Sequence, residues 1–378
     1  MDNKRSLRER MAASEGLLSV SASLICIAIG LLLGLLALAV INAEHAFGDG
    51  LMVILTSGLK SPRNMGTVLA NAAPLIMTGL SVGFAFKTGL FNIGAAGQYT
   101  LGAFAALYCA IVLQLPWYLC LLAAMALGAL WGAIPGLFKA YLNINEVITA
   151  IMFNWIGLYL VNDIMYGKGK SPMYDISTTK TFSLRKAAPQ SMIPSCGMSE
   201  RFGKLQSVTI AIFIAILFAI LVYVVLSRTT FGYELKACGF NKNAAQYAGI
   251  NEKRNIVLSM TIAGALAGFG AGLYYLSTVA EWNPQVSTAL PAMGFNGISA
   301  ALLACSNPIG TIFSSLFISY ITVGGTKLST QYYTKEIADV ITALIIYLCA
   351  FSLLFKNKIR AALAGKARRV QVGKGGDD

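Results

Sequence analysis

The chain has 378 residues, of which 56% are hydrophobic and only 12% are charged, and its formal net charge is +13. A soluble domain carries about 25% charged residues, so a water-soluble fold of this length would lack the polar side chains needed to cover its surface. These proportions exclude an ordinary soluble protein and predict an all-α, polytopic integral membrane protein.

About ten apolar runs follow one another along the chain, each close to the length of about 20 residues that a membrane-spanning helix needs. They cover residues 17–41, 65–86, 91–113, 117–138, 147–166, 207–226, 256–278, 290–305, 310–326 and 336–355. We therefore predict one transmembrane domain over residues 1–378, with a helical bundle from 17 to 355.

The basic residues indicate how the helices are oriented. Lys and Arg are concentrated in residues 1–16, 227–255 and 356–378, and every short segment on the opposite side is poor in them. Because positive charge favours the cytoplasmic side, we predict that both termini are cytoplasmic tails and that 227–255 is an inner loop. Residues 167–206 then form a long outer loop. Charges placed in this way orient helices in lipid and give no reason to expect a nucleic-acid partner.

The residues needed for catalysis are scarce. The single histidine, His45, lies at the outer end of the first run, and the seven cysteines are scattered singly without metal-ligand spacing. The stretch from Gly169 to Ser171 resembles the end of a phosphate-binding loop, but Ile164 stands where the leading glycine is required. We expect neither a catalytic site nor a metal nor a cofactor.

Ion-coupled transport needs ionisable groups within the bilayer. The candidates are Asp163, Glu336 and Asp339, all near the outer ends of runs, and Glu146 at the start of the fifth run. Carboxylates near the interface are more simply explained by contact with water. Since no central relay is visible, we expect the energy source to lie on another chain.

The runs do contain amides and aromatic rings suited to a polar or heterocyclic solute, because amides both donate and accept hydrogen bonds. The candidates for the substrate pathway are Asn71, Phe84, Phe91, Asn92, Gln98, Asn154 and Trp155. The alternative, which the sequence leaves open, is that these amides bridge helices. The stretch from Lys87 to Gln98 is a candidate break in the helices that lines a cavity. Two sets of glycines spaced by four residues, 128–136 and 264–272, predict close helix packing.

The inner loop 227–255 has the sequence signals of a short exposed helix. Asn241 is a good N-cap and Gly249 a good C-terminal residue, with an alanine-rich segment between them. Tyr247 and Ile250 lie at the end of this segment. We interpret the helix as a projection that fits a groove on another protein, although a merely solvated connection is the alternative.

Three blocks of sequence, 83–98, 145–154 and 227–250, give the chain a specific resemblance. It resembles the membrane permease subunit of bacterial ABC importers for simple sugars and nucleosides, and most of all the permeases for purine nucleosides such as guanosine. The resemblance implies a subunit without enzymatic activity in the cytoplasmic membrane. Its implied partners are an ATPase subunit, a second permease, an extracytoplasmic substrate-binding lipoprotein and membrane lipid. A simple-sugar permease and a stand-alone secondary carrier are the alternatives.

The same resemblance implies that the inner loop contains the coupling helix that docks on the ATPase. The residues that it places there are Glu234, Gly239, Asn241, Ala244, Ala245, Tyr247 and Gly249. The chain departs from the family pattern at Ala96 and Asn296, where the family usually has acidic residues. We interpret the two departures as altered substrate choice or as specialisation of one half of a permease pair.

Overall fold

The computed structural model of the chain describes residues 15–166, 171–283 and 289–328, with scattered positions between 332 and 361. Its helices are α1 (Glu15–Ile41), α2 (Val53–Ser57), α3 (Pro62–Lys87), α4 (Ala95–Ile111), α5 (Trp117–Leu142), α6 (Glu146–Tyr166), α7 (Leu184–Ala187), α8 (Met198–Arg201), α9 (Ala211–Arg228), α10 (Thr230–Phe240), α11 (Lys242–Tyr247), α12 (Glu252–Leu276), α13 (Ala292–Leu303) and α14 (Pro308–Gly325). A π-helical turn (Ala46–Met52), a 3₁₀ turn (Pro189–Ser191) and two short antiparallel strands, β1 (Tyr174–Asp175) and β2 (Lys180–Thr181), complete the regular structure described.

The prediction of an all-α membrane protein is confirmed. Seven of the described helices, namely α1, α3, α5, α6, α9, α12 and α14, are long and apolar enough to cross a membrane. Two further predicted runs are shorter helices, α4 with 17 residues and α13 with 12. At 1.5 Å per residue α13 extends only about 18 Å, which is less than the apolar thickness of a bilayer, so the eighth run is not a full span. Half of the tenth predicted run, 336–355, lies outside the described residues.

Glycines bring the central helices into close contact. A Cβ on Gly264 would overlap the carbonyl oxygen of Gly128, and a Cβ on Gly132 would lie 2.5 Å from the carbonyl oxygen of Met260. The two predicted glycine sets therefore face each other along α5 and α12. Helix α12 also packs against α3 and α4, while α13 and α14 pack on other parts of α3. This arrangement buries most of α3.

The long loops between helices lie at two opposite ends of the bundle. At one end, which we call the long-loop end, residues 171–210 are joined to the end of α12 and the residues after it. The hydrogen bonds run from Ile193 N–H to Leu276 C=O (3.1 Å) and from Thr181 N–H to Trp282 C=O (2.9 Å). At the other, the helical-loop end, residues 229–251 form α10 and α11. The two long segments of the chain that connect helices are therefore on opposite faces.

Candidate functional site

A cluster of polar side chains is buried where α3 ends and α4 begins. The Asn92 amide donates to Gln98 Oε1 (2.8 Å) and to Ser81 Oγ (3.0 Å), and Gln98 Nε2 donates back to Asn92 Oδ1 (3.1 Å). Asn92 and Gln98 are 0% and 1% exposed. Ser81 in turn donates to the carbonyl of Ala263 on α12 (2.6 Å). We call Ser81, Asn92, Gln98 and Asn154 the amide cluster.

The local sequence explains why the chain breaks at this point. Helix α3 ends at Lys87, and Gly89 has φ +76°, a conformation that side chains other than glycine rarely adopt. The chain then runs without helix until Ala95, so the predicted break is confirmed, although the third predicted run starts four residues too early as a helix. Asn92 lies in this break and can fold back onto Gln98 in the first turn of α4.

Asn154 of α6 holds the same break from the opposite side. Its Oδ1 accepts from the backbone N–H of Gly97 (2.8 Å), and its Nδ2 donates to the carbonyl of Ile93 (3.0 Å). The first N–H groups of a helix have no partner within that helix, so Asn154 supplies one for α4. This contact joins α6 to the break and accounts for the burial of the Asn154 side chain.

The other predicted pathway residues are distributed differently. Phe84 is fully buried on α3, and Phe91 stacks on Phe86 with 5.1 Å between ring centroids. Asn71 lies on α3 about 15 Å before Ser81, so it is not part of the amide cluster. Trp155 is 36% exposed and stacks on Tyr159, on the exposed face of α6. The structure therefore brings Asn92, Gln98 and Asn154 together and leaves Asn71 and Trp155 outside the cluster.

Sequence reasoning missed Ser81. An apolar run with one serine in its interior gives a weak signal, because Ser in a helix commonly bonds only to its own preceding turn. Here the hydroxyl bridges Asn92 and α12, and no short-range pattern indicates such a contact.

The two family departures lie on α4 and α13, which are in contact with each other. Ala96 is fully buried on α4, and a Cβ on Gly294 of α13 would overlap the backbone of Ala96. Asn296 is half-buried two residues further along α13. Ala96 therefore lies in the first turn of α4, two residues before Gln98 of the amide cluster.

Helices α10 and α11 form the second candidate region, at the helical-loop end. The Asn241 side chain accepts from the N–H of Ala244 (3.1 Å), and Gly249 has φ +82° after the last turn. The predicted short helix and both of its end signals are thus confirmed. The preceding segment, Thr230–Phe240, is also helical, with the Thr229 hydroxyl as its N-cap.

The exposed face of this loop is aromatic. Phe240 is 91% exposed and Tyr247 is 95% exposed, whereas Ala245 is only 4% exposed. A groove of about 540 Å³ runs between α10 and α11, with Glu234, Ala244 and Ala245 among its lining residues. Phe240 was not among the predicted coupling residues. Its place directly before the N-cap Asn241, in a loop predicted to be exposed, was a signal in the sequence that could have identified it.

The side of the loop that faces the bundle contacts the break between α3 and α4. Gly239 lies against the turn at Thr88 and Gly89. Beside it is a cavity of about 390 Å³, lined in part by Lys139 and Glu146, whose charged groups are 2.8 Å apart. Gly239 therefore makes its contacts within this chain, not on the outward surface of the loop.

The ionisable candidates have ordinary structural partners or open surroundings. Glu146 pairs with Lys139, Asp163 is exposed, and His45 bonds to Asp49 (2.7 Å) while it stacks on Tyr332. Glu336 and Asp339 lie outside the described residues. Within the described part of the chain, no group of three His, Cys, Asp or Glu residues is arranged to hold a metal ion.

Comparison with known proteins relates the chain to membrane transport. Residues 64–350 match the family described as branched-chain amino acid transport system / permease component. The chain is 33% identical to the nucleoside ABC transporter permease protein NupB of Lactococcus lactis, over 94% of this chain and 97% of that protein. It is 32% identical to the guanosine ABC transporter permease protein NupP of Bacillus subtilis, over 87% and 92%.

A more distant relative has a different named solute. The glucose ABC transporter permease protein TsgB13 of Haloferax volcanii is 28% identical over 94% of this chain and 92% of that protein. No solved structure matches the chain.

Proposed function

The chain belongs to the family of permease components of branched-chain amino acid transport systems, and from this premise we propose that it forms the membrane pathway of an ATP-driven importer of nucleosides, in particular purine nucleosides. It is a multi-pass membrane protein. Like its permease relatives, it is a transport subunit and not itself an enzyme.

One observation carries the choice of substrate. The relatives named for nucleosides and for guanosine are 33% and 32% identical and align with most of this chain, whereas the relative named for glucose is 28% identical. Because this glucose relative also aligns with most of the chain, a simple sugar is the second candidate. Both solutes need amide contacts, but only a nucleoside has a planar ring for the aromatic side chains to contact.

An ABC system also contains an ATPase and a substrate-binding component. We propose that the ATPase docks on the exposed face of α10 and α11, where Phe240 and Tyr247 project. The helical-loop end is then cytoplasmic, as are both termini, and the long-loop end receives substrate from an extracytoplasmic binding lipoprotein in a bacterial cytoplasmic membrane. Exposed apolar residues on α6, such as Trp155, are suited to contact a second permease.

The contacts of α10 suggest how ATPase closure reaches the pathway. Gly239 lies on the turn at Gly89, and that turn leads directly into Asn92 of the amide cluster. A displacement of α10 would therefore move residues 88–94. Because Asn154 holds Ile93 and Gly97 together, such a movement would be transmitted to the first turn of α4, where the pathway amides lie.

Reconstitution tests this proposal. We expect the complete importer in proteoliposomes to accumulate guanosine only with ATP and the binding lipoprotein, and the chain alone to accumulate nothing. Excess glucose or ribose should leave guanosine uptake unchanged. Uptake of a sugar but not of any nucleoside would replace the proposed substrate, and gradient-driven accumulation by the chain alone would overturn the ATP-driven mechanism.

A further inference from the structure

Three of the five buried side-chain atoms that have no hydrogen-bond partner among the described residues lie near one another, at the long-loop end. The buried side-chain atoms Thr181 Oγ1, Trp282 Nε1 and Tyr99 Oη have no hydrogen-bond partner among the residues that the structure describes. Burial of such a group costs free energy unless a partner is supplied, so native proteins contain few of them. Three close together call for a specific explanation.

A cavity and a row of aromatic rings connect these atoms. Thr181 and Tyr275 both line a cavity of about 470 Å³ between β2 and the end of α12. The Tyr275 ring lies 5.4 Å from the Trp282 ring on one side and 6.3 Å from the Tyr99 ring on the other, measured between centroids. The rings thus extend from the cavity into the bundle and reach Tyr99, which directly follows Gln98 of the amide cluster on α4.

The lining of the cavity indicates the chemistry of its ligand. Its volume lies within the range of about 300–1,000 Å³ that small-molecule sites occupy. The buried Tyr275 ring offers an aromatic surface, and the Thr181 hydroxyl is able to donate or accept. The rim carries both signs of charge, with Lys180, Arg185 and Glu281, and these groups can donate to or accept from the hydroxyl groups of a ligand. A neutral solute with a planar ring and hydroxyl groups fits these features.

We propose that this cavity, which we call the outer aromatic site (Thr181 and Tyr275, with Trp282 packed against Tyr275), is a binding site for the nucleoside before it reaches the amide cluster. The proposal rests on the proposed function for its substrate and for the orientation of the long-loop end. In this site the base stacks on the Tyr275 ring, and the ligand supplies the hydrogen-bond partner that Thr181 lacks.

The experiment measures equilibrium binding of tritiated guanosine to the complete permease–ATPase complex in nanodiscs, without ATP and without the binding lipoprotein. Thr181→Val removes the hydroxyl group that lines the cavity and keeps most of the side-chain shape. It should weaken binding about five- to tenfold, as loss of one buried hydrogen bond does. Thr181→Val should unfold at no lower temperature than the wild type, because its hydroxyl has no partner in the protein to lose.

A matched variant serves as the control. Thr178 is exposed in the same loop and does not line the cavity. Thr178→Val should bind guanosine within twofold of the wild type. Guanosine should compete fully with the labelled ligand, and ribose should not.

Three results would overturn the inference: no guanosine binding by the wild-type complex, wild-type binding by Thr181→Val, or unchanged guanosine binding by Thr181→Val with weaker association of the binding lipoprotein. The last result would identify the region as a docking surface for a protein. Normal ATP-driven guanosine uptake alongside any of them leaves the proposed function intact. Absence of nucleoside uptake by the wild-type importer rejects the proposed function instead.

Discussion

The backbones of Gly89 and Gly239 are in direct contact, although the two residues belong to segments 150 positions apart. A Cβ on Gly239 would lie 2.6 Å from the carbonyl carbon of Thr88 and 2.7 Å from the nitrogen of Gly89. Real Cβ atoms are not found so close to other heavy atoms, so only glycine allows this approach. The contact is the point where the helical loop touches the break that carries Asn92.

Gly239→Ala should separate α10 from this break. The added methyl group forces the two backbones apart, and overpacking of this kind costs about 1–3 kcal/mol. We expect guanosine accumulation by the complete importer to fall at least tenfold, with ATPase binding retained because the outward face of the loop is unchanged. Uptake per ATP hydrolysed, measured in proteoliposomes, is the readout. Gly48→Ala is the control, since nothing lies within 4 Å of its added Cβ. Equal guanosine uptake by the two variants would show that Gly239 does not transmit ATPase movement to the pathway.

The sequence was a good guide where structure depends on neighbouring residues. Asn241 and Gly249 lie at the ends of the predicted short helix because capping bonds span only three or four positions. The break after Lys87 was predictable for the same reason, since Gly89 must adopt positive φ. The glycine spacing on α5 and α12 likewise indicated a packing face without any knowledge of the partner helix.

The roles of single polar residues could not be predicted in this way. Asn154 and Trp155 are adjacent in the sequence and have similar apolar neighbours, but one clamps the start of α4 and the other is exposed on the surface of α6. Which of them faces inward depends on how α6 is rotated against α4, and this is a tertiary property. The same holds for Ala245, which resembles its exposed neighbour Ala244 but forms part of the groove floor.

The reciprocal pair of Asn92 and Gln98 should show strongly non-additive energetics. Asn92→Leu leaves the Gln98 amide buried without its partner, which costs about 1–3 kcal/mol, and Gln98→Leu does the same to Asn92. The double variant buries neither amide, so its loss of stability should be smaller than the sum of the two single losses. Unfolding midpoints in detergent provide the comparison.

Transport separates the two possible roles of this pair. If the amides line the pathway, the double variant should remain inactive in guanosine uptake even though its stability recovers. Additive unfolding energies would contradict the paired geometry, and full uptake by the stable double variant would show that the amides serve only to join helices.

Introduction of an acidic residue at Ala96, which the sequence resemblance led us to expect there, should fail in this chain. The Ala96 side chain is fully buried and Gly294 lies against its backbone, so the carboxylate introduced by Ala96→Glu would enter a packed helix contact without a charged partner. An uncompensated buried charge costs about 3 kcal/mol or more. We expect Ala96→Glu to reduce the folded yield severely, as measured by size-exclusion chromatography of the fluorescently tagged chain.

Asn296→Asp is the matched comparison, because Asn296 is half-buried and its side chain keeps nearly the same shape. This variant should fold with near wild-type yield, so its uptake of different nucleosides reports on substrate choice. Wild-type yield and thermal stability of Ala96→Glu would show that the contact between α4 and α13 adapts more easily than its close packing indicates.

The aromatic residues of the helical loop should contribute to ATPase binding and hardly at all to folding. Phe240 and Tyr247 are almost fully exposed, so replacement of either by Ala should change the free energy of unfolding by no more than about 0.5 kcal/mol. A buried aromatic anchor in a protein interface contributes about 2 kcal/mol or more, which corresponds to about a 30-fold weaker complex. Titration of the purified ATPase onto the permease in nanodiscs measures this loss. Tyr118→Ala is the control. Tyr118 is an exposed aromatic residue at the start of α5, near the long-loop end, and this variant should bind the ATPase like the wild type.

Because the exposed rings and the Gly239 contact lie on opposite faces of the same loop, Phe240→Ala and Tyr247→Ala should lower ATPase binding, whereas Gly239→Ala should lower only uptake. If all three variants lost ATPase binding equally, docking and transmission would not be separate properties of the loop.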